Sequence, residues 1–344
     1  MSSQLRLSVV IPTCNRKVRL RRVLDALSHQ TVDAGLFEVV VIDDGSTDGT
    51  GEALAAVRLR YNLRSFFQPN AGPAQARNRG VQEARGEIVL FLDDDVMPEP
   101  SLIAEHLRSH DLEAAPLVVI GPLASLPHYD QPWVAWEQAK IEAQYHAMLT
   151  GVYEPTFRQF WTGNASVGRA HLLAVGGFNQ KFPRGEDVEL GARLHQHGLQ
   201  FRFNPQALGV HHAERSLESW SHAHRSYGLL EVEIFGQLSE DQMLDVLAGN
   251  FSRLHPGTSL VLRSLLLRFP ALSGVAENAM TFWLTSKAAN AAPAVSSKVC
   301  SVLANLLYWQ ASCRALGDTR LHEVLARAER MRAAGPVSQA QGQR

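Results

Sequence analysis

The sequence predicts an α/β chain, with a mostly parallel central sheet, helices on its faces, and a mainly helical C-terminal region. Three observations carry this. Short apolar, β-branched runs alternate with helix-period segments through the first hundred or so residues, the pattern of strand-helix-strand units. Three of those runs stop at polar clusters: Thr13-Cys14-Asn15, Asp43-Asp44-Gly45-Ser46 and Asp93-Asp94-Asp95. From about Ser216 onward the chain reads as helices interrupted by Pro256, Pro270 and Pro293.

Element by element, Leu7 to Ile11 suits a strand buried on both faces. Val18, Leu20, Val23, Leu24 and Leu27 fall at helical spacing. Phe37 to Ile42 is a second buried strand and Gly51 to Leu59 a helix. Arg64 to Gln68 reads as a short strand, Pro73 to Ala84 as a helix, and Ile88 to Leu92 as a fourth strand. Leu117 to Phe160 is mixed and rich in aromatics, and the tail Gly335 to Arg344 has a disordered composition. The expected organisation is 1–215 as an α/β domain, divided near 115 into two halves, then 216–334 as a helical region and 335–344 as a tail. In open parallel sheets ligands bind at the carboxyl ends of strands. Three polar strand ends on one edge therefore define a binding site.

Bulk composition narrows the class. Thirty-three basic and 34 acidic side chains give a formal net charge of −1, which offers no field for general nucleic-acid binding. The three cysteines, Cys14, Cys300 and Cys313, have no metal-ligand spacing and read as reduced thiols of a cytoplasmic protein. The apolar run Val9-Val10-Ile11 is too short for a signal peptide. No run of about 18 uncharged apolar residues predicts a spanning helix.

Carboxylates crowded at one strand end repel one another unless a cation sits among them. Asp93-Asp94-Asp95 is therefore either a solvated acidic turn or a site for Mg²⁺ or Mn²⁺, hard ions that bridge carboxylates to a diphosphate. Asp43-Asp44-Gly45-Ser46 is either a capped strand-to-helix turn or a contact for a base or ribose. Glu186-Asp187 is either the acidic first turn of a helix or a catalytic pair.

Four linked segments choose between these readings: Val10 to Arg16, Val41 to Thr50, Gly72 to Gly80, and Gly86 to Asp95. In order and spacing they resemble the nucleotide-binding half of a family-2 glycosyltransferase of GT-A fold, an inverting enzyme class. Gly176-Gly177-Phe178-Asn179, then Arg184 to Leu190, resembles the acceptor side of that family, and Pro205 to His211 resembles the strand ending in its metal-binding histidine. The resemblance covers roughly residues 5 to 215.

It implies a sugar transferred from a nucleotide-diphosphate sugar to an acceptor hydroxyl, with Mn²⁺ or Mg²⁺ as cofactor. Asp44 would hold the nucleobase, with Pro12, Thr13, Cys14, Asn15 and Asp43 around it, and Arg77 near the nucleotide. Asp95 would be the direct metal ligand and His211 would complete the metal shell. Asp93 would contact ribose or a metal-bound water, with Asp94 between them. Asp187 would be the general base, and Glu186, Trp161 and Asn164 would face the acceptor. His212 competes with its neighbour for the metal role.

The sequence departs from the family pattern at Asp94, where a small or polar residue is common, and at Cys14, where an aromatic often stacks on the base. No run of spanning helices follows the catalytic part, so single transfer is favoured over processive synthesis. The acceptor is open among a glycan, a lipid-linked glycan and a small molecule. Leu260 to Phe269 suits a core or dimer helix better than a peripheral membrane contact, and the C-terminal helices are the place for homo-oligomer formation. A non-catalytic sugar-nucleotide-binding relative would be expected to lose the metal carboxylates or the base, and both are kept. A nucleotidyltransferase would need a Gly-rich basic loop after the first strand, and a dehydrogenase its G-x-G-x-x-G. Pro12-Thr13-Cys14-Asn15-Arg16 is neither.

Overall fold

The computed structural model describes residues 4–113, 115–125, 130–182, 184–212, 215–236 and 239–334. The tail read as disordered, 335–344, lies outside the described residues. The chain divides into two compact units, Met1–Pro127 with Ile141–Ala213, and His128–Lys140 with Glu214–Arg344.

The first unit holds strands β1 (Leu7–Thr13), β2 (Phe37–Asp44), β3 (Asn62–Gln68), β4 (Ile88–Leu92), β5 (Val96–Pro98), β6 (Leu117–Ile120), β7 (Leu123–Ser125), β8 (Asn164–Gly168), β9 (Gln200–Phe203) and β10 (Gly209–His211). Its helices are α1 (Lys17–Leu27), α2 (Thr50–Ala56), α3 (Pro73–Glu83), α4 (Leu102–Leu112), the later part of α5 (Pro132–Leu149), α6 (Arg169–Ala174) and α7 (Glu186–Gln196). The main sheet has seven strands in the order β3-β2-β1-β4-β8-β6-β9. β3, β2, β1 and β4 run parallel, and β8 is antiparallel to both its neighbours.

Alternation along the central strands builds a core on each side. Val10, Val40, Ile42, Val89 and Phe91 face one, while Leu7, Val9, Ile11, Val41 and Leu90 face the other. Helix α1 turns Leu20, Val23, Leu24 and Leu27 to the second core, the expected i, i+3, i+4, i+7 stripe. Helix α3 lies so close to β1 that a Cβ at Gly80 would meet Val10 Cγ1 at 2.2 Å. Strand β8, Asn-Ala-Ser-Val-Gly, has little hydrophobic pattern, so its place inside the sheet is not evident from the sequence. A second sheet, β5-β10-β7, sets His211 opposite Val96, one residue from the acidic strand end.

The second unit is helical. Besides the start of α5, it contains α8 (Leu217–Gly236), α9 (Glu240–Ser252), α10 (Pro256–Arg263), α11 (Pro270–Thr285), α12 (Lys287–Ala291), α13 (Pro293–Leu316) and α14 (Asp318–Ala333). Pro256, Pro270 and Pro293 each occupy the first turn of a helix. They start helices as well as interrupting the pattern, because the missing N–H would have no partner there. Leu217, Trp220, Leu284, Cys300, Leu303 and Leu307 form a core with Trp133, Trp136 and Trp283 packed against it. The segment 128–140, which the sequence reading joined to the α/β domain, groups with this helical unit.

Candidate active site

The carboxyl ends of β2, β1 and β4 lie side by side in the parallel sheet, so their polar termini meet. Asn15 adopts φ 54°, a left-handed conformation that asparagine tolerates. Its Oδ1 accepts the Thr47 N–H at 2.8 Å, and its own N–H donates to Ser46 Oγ at 2.9 Å. The loops after β1 and β2 are thus tied together. Asp43 caps its own turn, accepting the Ser46 N–H at 2.9 Å. Cys14 Sγ receives Asn70 Nδ2 at 3.4 Å, and Pro12 is partly exposed beside it.

Asp44, expected at the nucleobase, is already engaged. Its Oδ1 accepts Gln68 Nε2 at 2.8 Å and the Ala71 N–H at 2.9 Å, and its Oδ2 accepts the Gly72 N–H at 2.9 Å. It shapes the loop leading into α3. Gly72, at φ 88°, starts that helix, a backbone region that disfavours residues with a Cβ.

The three aspartates after β4 go to different partners. Asp93 Oδ1 accepts Arg77 NH2 at 2.9 Å. Asp94 is buried, accepting Thr13 Oγ1 at 2.7 Å and Arg16 NH1 at 2.8 Å. Burial outweighs those partners and raises its carboxyl above the usual range. Asp95 Oδ2 accepts Arg16 NH1 at 2.9 Å, and its Oδ1 lies 3.5 Å from His211 Nε2. Burial opposes ionisation there too, but His211, Arg16 and Arg19 prevail and hold Asp95 low. His212 gives its backbone N–H to the Asp95 carbonyl at 3.0 Å, so His211 is the imidazole next to the carboxylate.

Arg77 connects the two halves of the site. It is buried, donating NH1 to Glu186 Oε1 at 2.8 Å and NH2 to Asp93 Oδ1 at 2.9 Å, while its Nε has no partner among the described residues. The sequence places Arg77 near the nucleotide; in the structure it lies between the D-D-D strand end and the Glu-Asp helix start. Glu186 and Asp187 open α7 after Gly185, at φ 69°. Asp187 is half-buried and accepts the Val188 N–H at 2.8 Å. Loss of hydration, then the neighbouring Glu186 charge, pushes its carboxyl up to about 7 against the pull of Arg77, the range of a general base at neutral pH.

Of the two further residues expected at the acceptor, Asn164 and Trp161, one is engaged elsewhere. Asn164, expected at the acceptor, is 1% exposed and makes three side-chain hydrogen bonds within the protein. Its Oδ1 meets His106 Nε2 at 3.0 Å, and its Nδ2 donates to the carbonyls of Ala207 at 2.7 Å and Pro122 at 3.1 Å. Its amide stitches strand ends together and is closed off from solvent. Trp161 is partly exposed and lies edge-on to Tyr145, ring centroids 6.0 Å apart.

Sequence reasoning also passed over Arg16, Arg19 and Asn78. Asn78 clamps Phe178, donating Nδ2 to its carbonyl at 2.8 Å and accepting its N–H at 2.7 Å. A Cβ at Gly177 would lie 2.4 Å from Asn78 Oδ1, so the Gly-Gly-Phe segment is shaped to receive that amide. The signal available was position: Arg16 follows the β1 end directly, and Asn78 is one residue from Arg77.

A metal was expected here. Among the described residues no three His, Cys, Asp or Glu side chains could together hold an ion. Asp95 and His211 nonetheless present a carboxylate oxygen and an imidazole nitrogen side by side. That suits a divalent ion completed by diphosphate and water, the usual habit of Mg²⁺.

The comparisons agree with this architecture. Residues 8–169 match the model described as Glycosyl transferase family 2, and this segment is a family 2 glycosyltransferase domain. The chain is 35% identical over 231 residues to validoxylamine A glucosyltransferase of Streptomyces hygroscopicus subsp. jinggangensis, covering 59% of this chain and 54% of the relative. It is 32% identical over 256 residues to the uncharacterised glycosyltransferase YfnE of Bacillus subtilis, covering 60% and 64%. The chain thus spans between about half and two thirds of these relatives' length. Among solved structures, S. aureus TarS 1-349 in complex with UDP-GlcNAc aligns with TM-score 0.55 at 18% identity, over 90% of this chain and 91% of that one. The mannosyltransferase PcManGT of Pyrobaculum calidifontis, in complex with GDP-Man and Mn²⁺, aligns with TM-score 0.53 at 18% identity, over 96% and 88%. The fold is of GT-A type.

Proposed function

We propose that this chain transfers a single sugar from a nucleotide-diphosphate sugar to an acceptor hydroxyl with inversion at the anomeric carbon. The observation that carries the reading is the Arg77 bridge, 2.9 Å to Asp93 and 2.8 Å to Glu186. It joins a diphosphate-side carboxylate to the helix start bearing Asp187. The neighbours captured with UDP-GlcNAc and with GDP-Man and Mn²⁺ support a donor of this class, and the glucosyltransferase relative supports transfer of a hexose.

In this reading the donor lies along the ends of β1, β2 and β4, near Pro12, Thr13, Cys14, Asn15 and Asp43. Asp95 and His211 would hold Mn²⁺ or Mg²⁺, which when bound offsets negative charge on the leaving diphosphate. Arg16 and Arg19 add fixed positive charge on the same side. Asp187 takes the acceptor proton as the acceptor oxygen bonds to the anomeric carbon and the bond from that carbon to the β-phosphate oxygen breaks. The nucleoside diphosphate departs with the bonding pair. Glu186, pinned by Arg77, raises the proton affinity of Asp187 through its charge and helps position the acceptor, as Trp161 does.

The test is a thermal-stability screen against nucleotide-diphosphate sugars, each with and without Mn²⁺. A ligand at 100 times its dissociation constant adds about 2.7 kcal/mol. A metal-dependent shift with one nucleotide supports the reading and names the base. No shift with any donor in the wild-type chain removes the donor site.

A further inference from the structure

The helical unit carries an apolar surface that none of its own helices covers. Of the sixteen large hydrophobic side chains exposed among the described residues, eight lie between Leu260 and Val295, so the exposure is concentrated rather than scattered. Helix α11 is its centre. Leu272 is 52% exposed, Val275 64% and Phe282 78%. Their spacing of three and seven residues puts them on one stripe, with exposed Ala279 between. The opposite stripe carries Met280 and Leu284, in or against the Trp220 core.

Charge distribution says what covers it. Helix α11 has one charged residue, Glu277, and that carboxylate is held by Arg225. Across Pro256 to Val295 there is no other acid, while Arg263, Arg268 and Lys287 are basic. Arg263 pairs with Glu329 at 2.5 Å. Arg268 lies 5.3 Å over the Phe269 ring just before α11, and Lys287 is exposed just after it. An uncharged apolar stripe bracketed by cations on long stems is the arrangement of a helix lying in a lipid interface. Among the described residues no helix is long and apolar enough to cross a membrane.

We propose that α11, with the preceding residues Leu267 to Phe269 at the end of a short π-helix, is a docking surface for an anionic phospholipid membrane. Leu272, Val275 and Phe282 enter the acyl boundary, and Arg268 and Lys287 meet the headgroup phosphates. This rests on the helical unit alone and not on the transferase reading.

The full chain would be floated with vesicles of phosphatidylcholine alone and of phosphatidylcholine with one quarter phosphatidylglycerol. Binding is expected to be at least about fivefold stronger to the anionic vesicles and to weaken with salt. Phe282→Glu and Leu272→Glu, at exposed positions, should each reduce it at least about tenfold with an unchanged circular dichroism spectrum. Arg268→Glu with Lys287→Glu should reduce binding to the anionic vesicles to the phosphatidylcholine level or below. Absence of the wild-type chain from both vesicle fractions, or flotation undiminished in Phe282→Glu and Leu272→Glu, would overturn the proposal. So would a vesicle-independent, concentration-dependent dimer dissolved by Phe282→Glu, which would assign the face to a second copy of the chain.

Discussion

Replacing Asp187 by asparagine should make the protein more stable while removing its turnover. The carboxyl stands at about 7 in the folded chain against 3.8 for the free side chain. Each pH unit of such a difference is worth about 1.36 kcal/mol, which sets an upper bound of about 4 kcal/mol. Two features reduce it: the group is half-buried, and the first turn of α7 favours negative charge. About 1–2 kcal/mol is the expectation. The substituted amide keeps an oxygen for the Val188 N–H, so no hydrogen bond need be lost. Because the folded state binds the proton more tightly than the unfolded state, native Asp187 lowers stability as pH rises from about 4 through 7. The advantage of the variant should therefore be small near pH 4, grow through that window and level off above it. Urea denaturation of both proteins at pH 4.5, 6 and 8 measures this directly. The same variant should retain donor-induced stabilisation and lose at least about 10²-fold in transfer rate. A variant no more stable than wild type at pH 8, or a difference independent of pH, would refute the assigned electrostatics. Near-normal turnover would remove Asp187 from the chemistry.

Three further outcomes follow from the geometry. Asn164→Ala strips three hydrogen bonds from buried partners and should destabilise the first unit by about 2–4 kcal/mol, seen as a melting point about 5–15 °C lower, with acceptor KM little changed in the folded fraction. Asn78→Ala releases Phe178 and should cost about 1–3 kcal/mol, read by chemical denaturation, with Asn78→Asp recovering only the bond from the Phe178 N–H. His211→Ala should weaken Mn²⁺ binding at least about tenfold when titrated by calorimetry with a nucleoside diphosphate present; an unaltered titration would leave Asp95 without its partner ligand.

The strand ends were legible because their signal is local. Val-Val-Ile-Pro and Val-Val-Val-Ile followed at once by polar residues mark buried strands opening onto a site, and β1, β2 and β4 lie where that pattern set them. Partnership was not legible. Arg77 and Glu186 are 109 residues apart, and nothing in either neighbourhood says that one guanidinium would span both acidic motifs. Asp44 and Asn164 show a second thing the sequence does not display, the partners a motif residue takes within the fold. Each sits in a motif that resembles a binding segment, yet each spends its oxygens on the polypeptide, because a loop and three strand ends converge there and need partners. A motif identifies residues a fold cannot easily replace, whether they touch ligand or hold the residues that do. β8 was hidden for a simpler reason: small and polar residues suffice where strands on both sides supply the bulk.

The discontinuous second unit bears on any attempt to work with the catalytic portion alone. A chain cut after residue 213 would keep 128–140 but discard everything that segment packs on. Trp133 gives its indole N–H to the Arg215 carbonyl, and Trp136 meets Trp220 edge to face. Shortened there, the polypeptide would hold two indoles of α5 without the partners they meet in the full chain. During synthesis the same segment waits for α8 and then for α13, some 160 residues later, before its core can close. Removing the second unit therefore leaves Trp133 and Trp136 as uncovered apolar surface, the kind that promotes association.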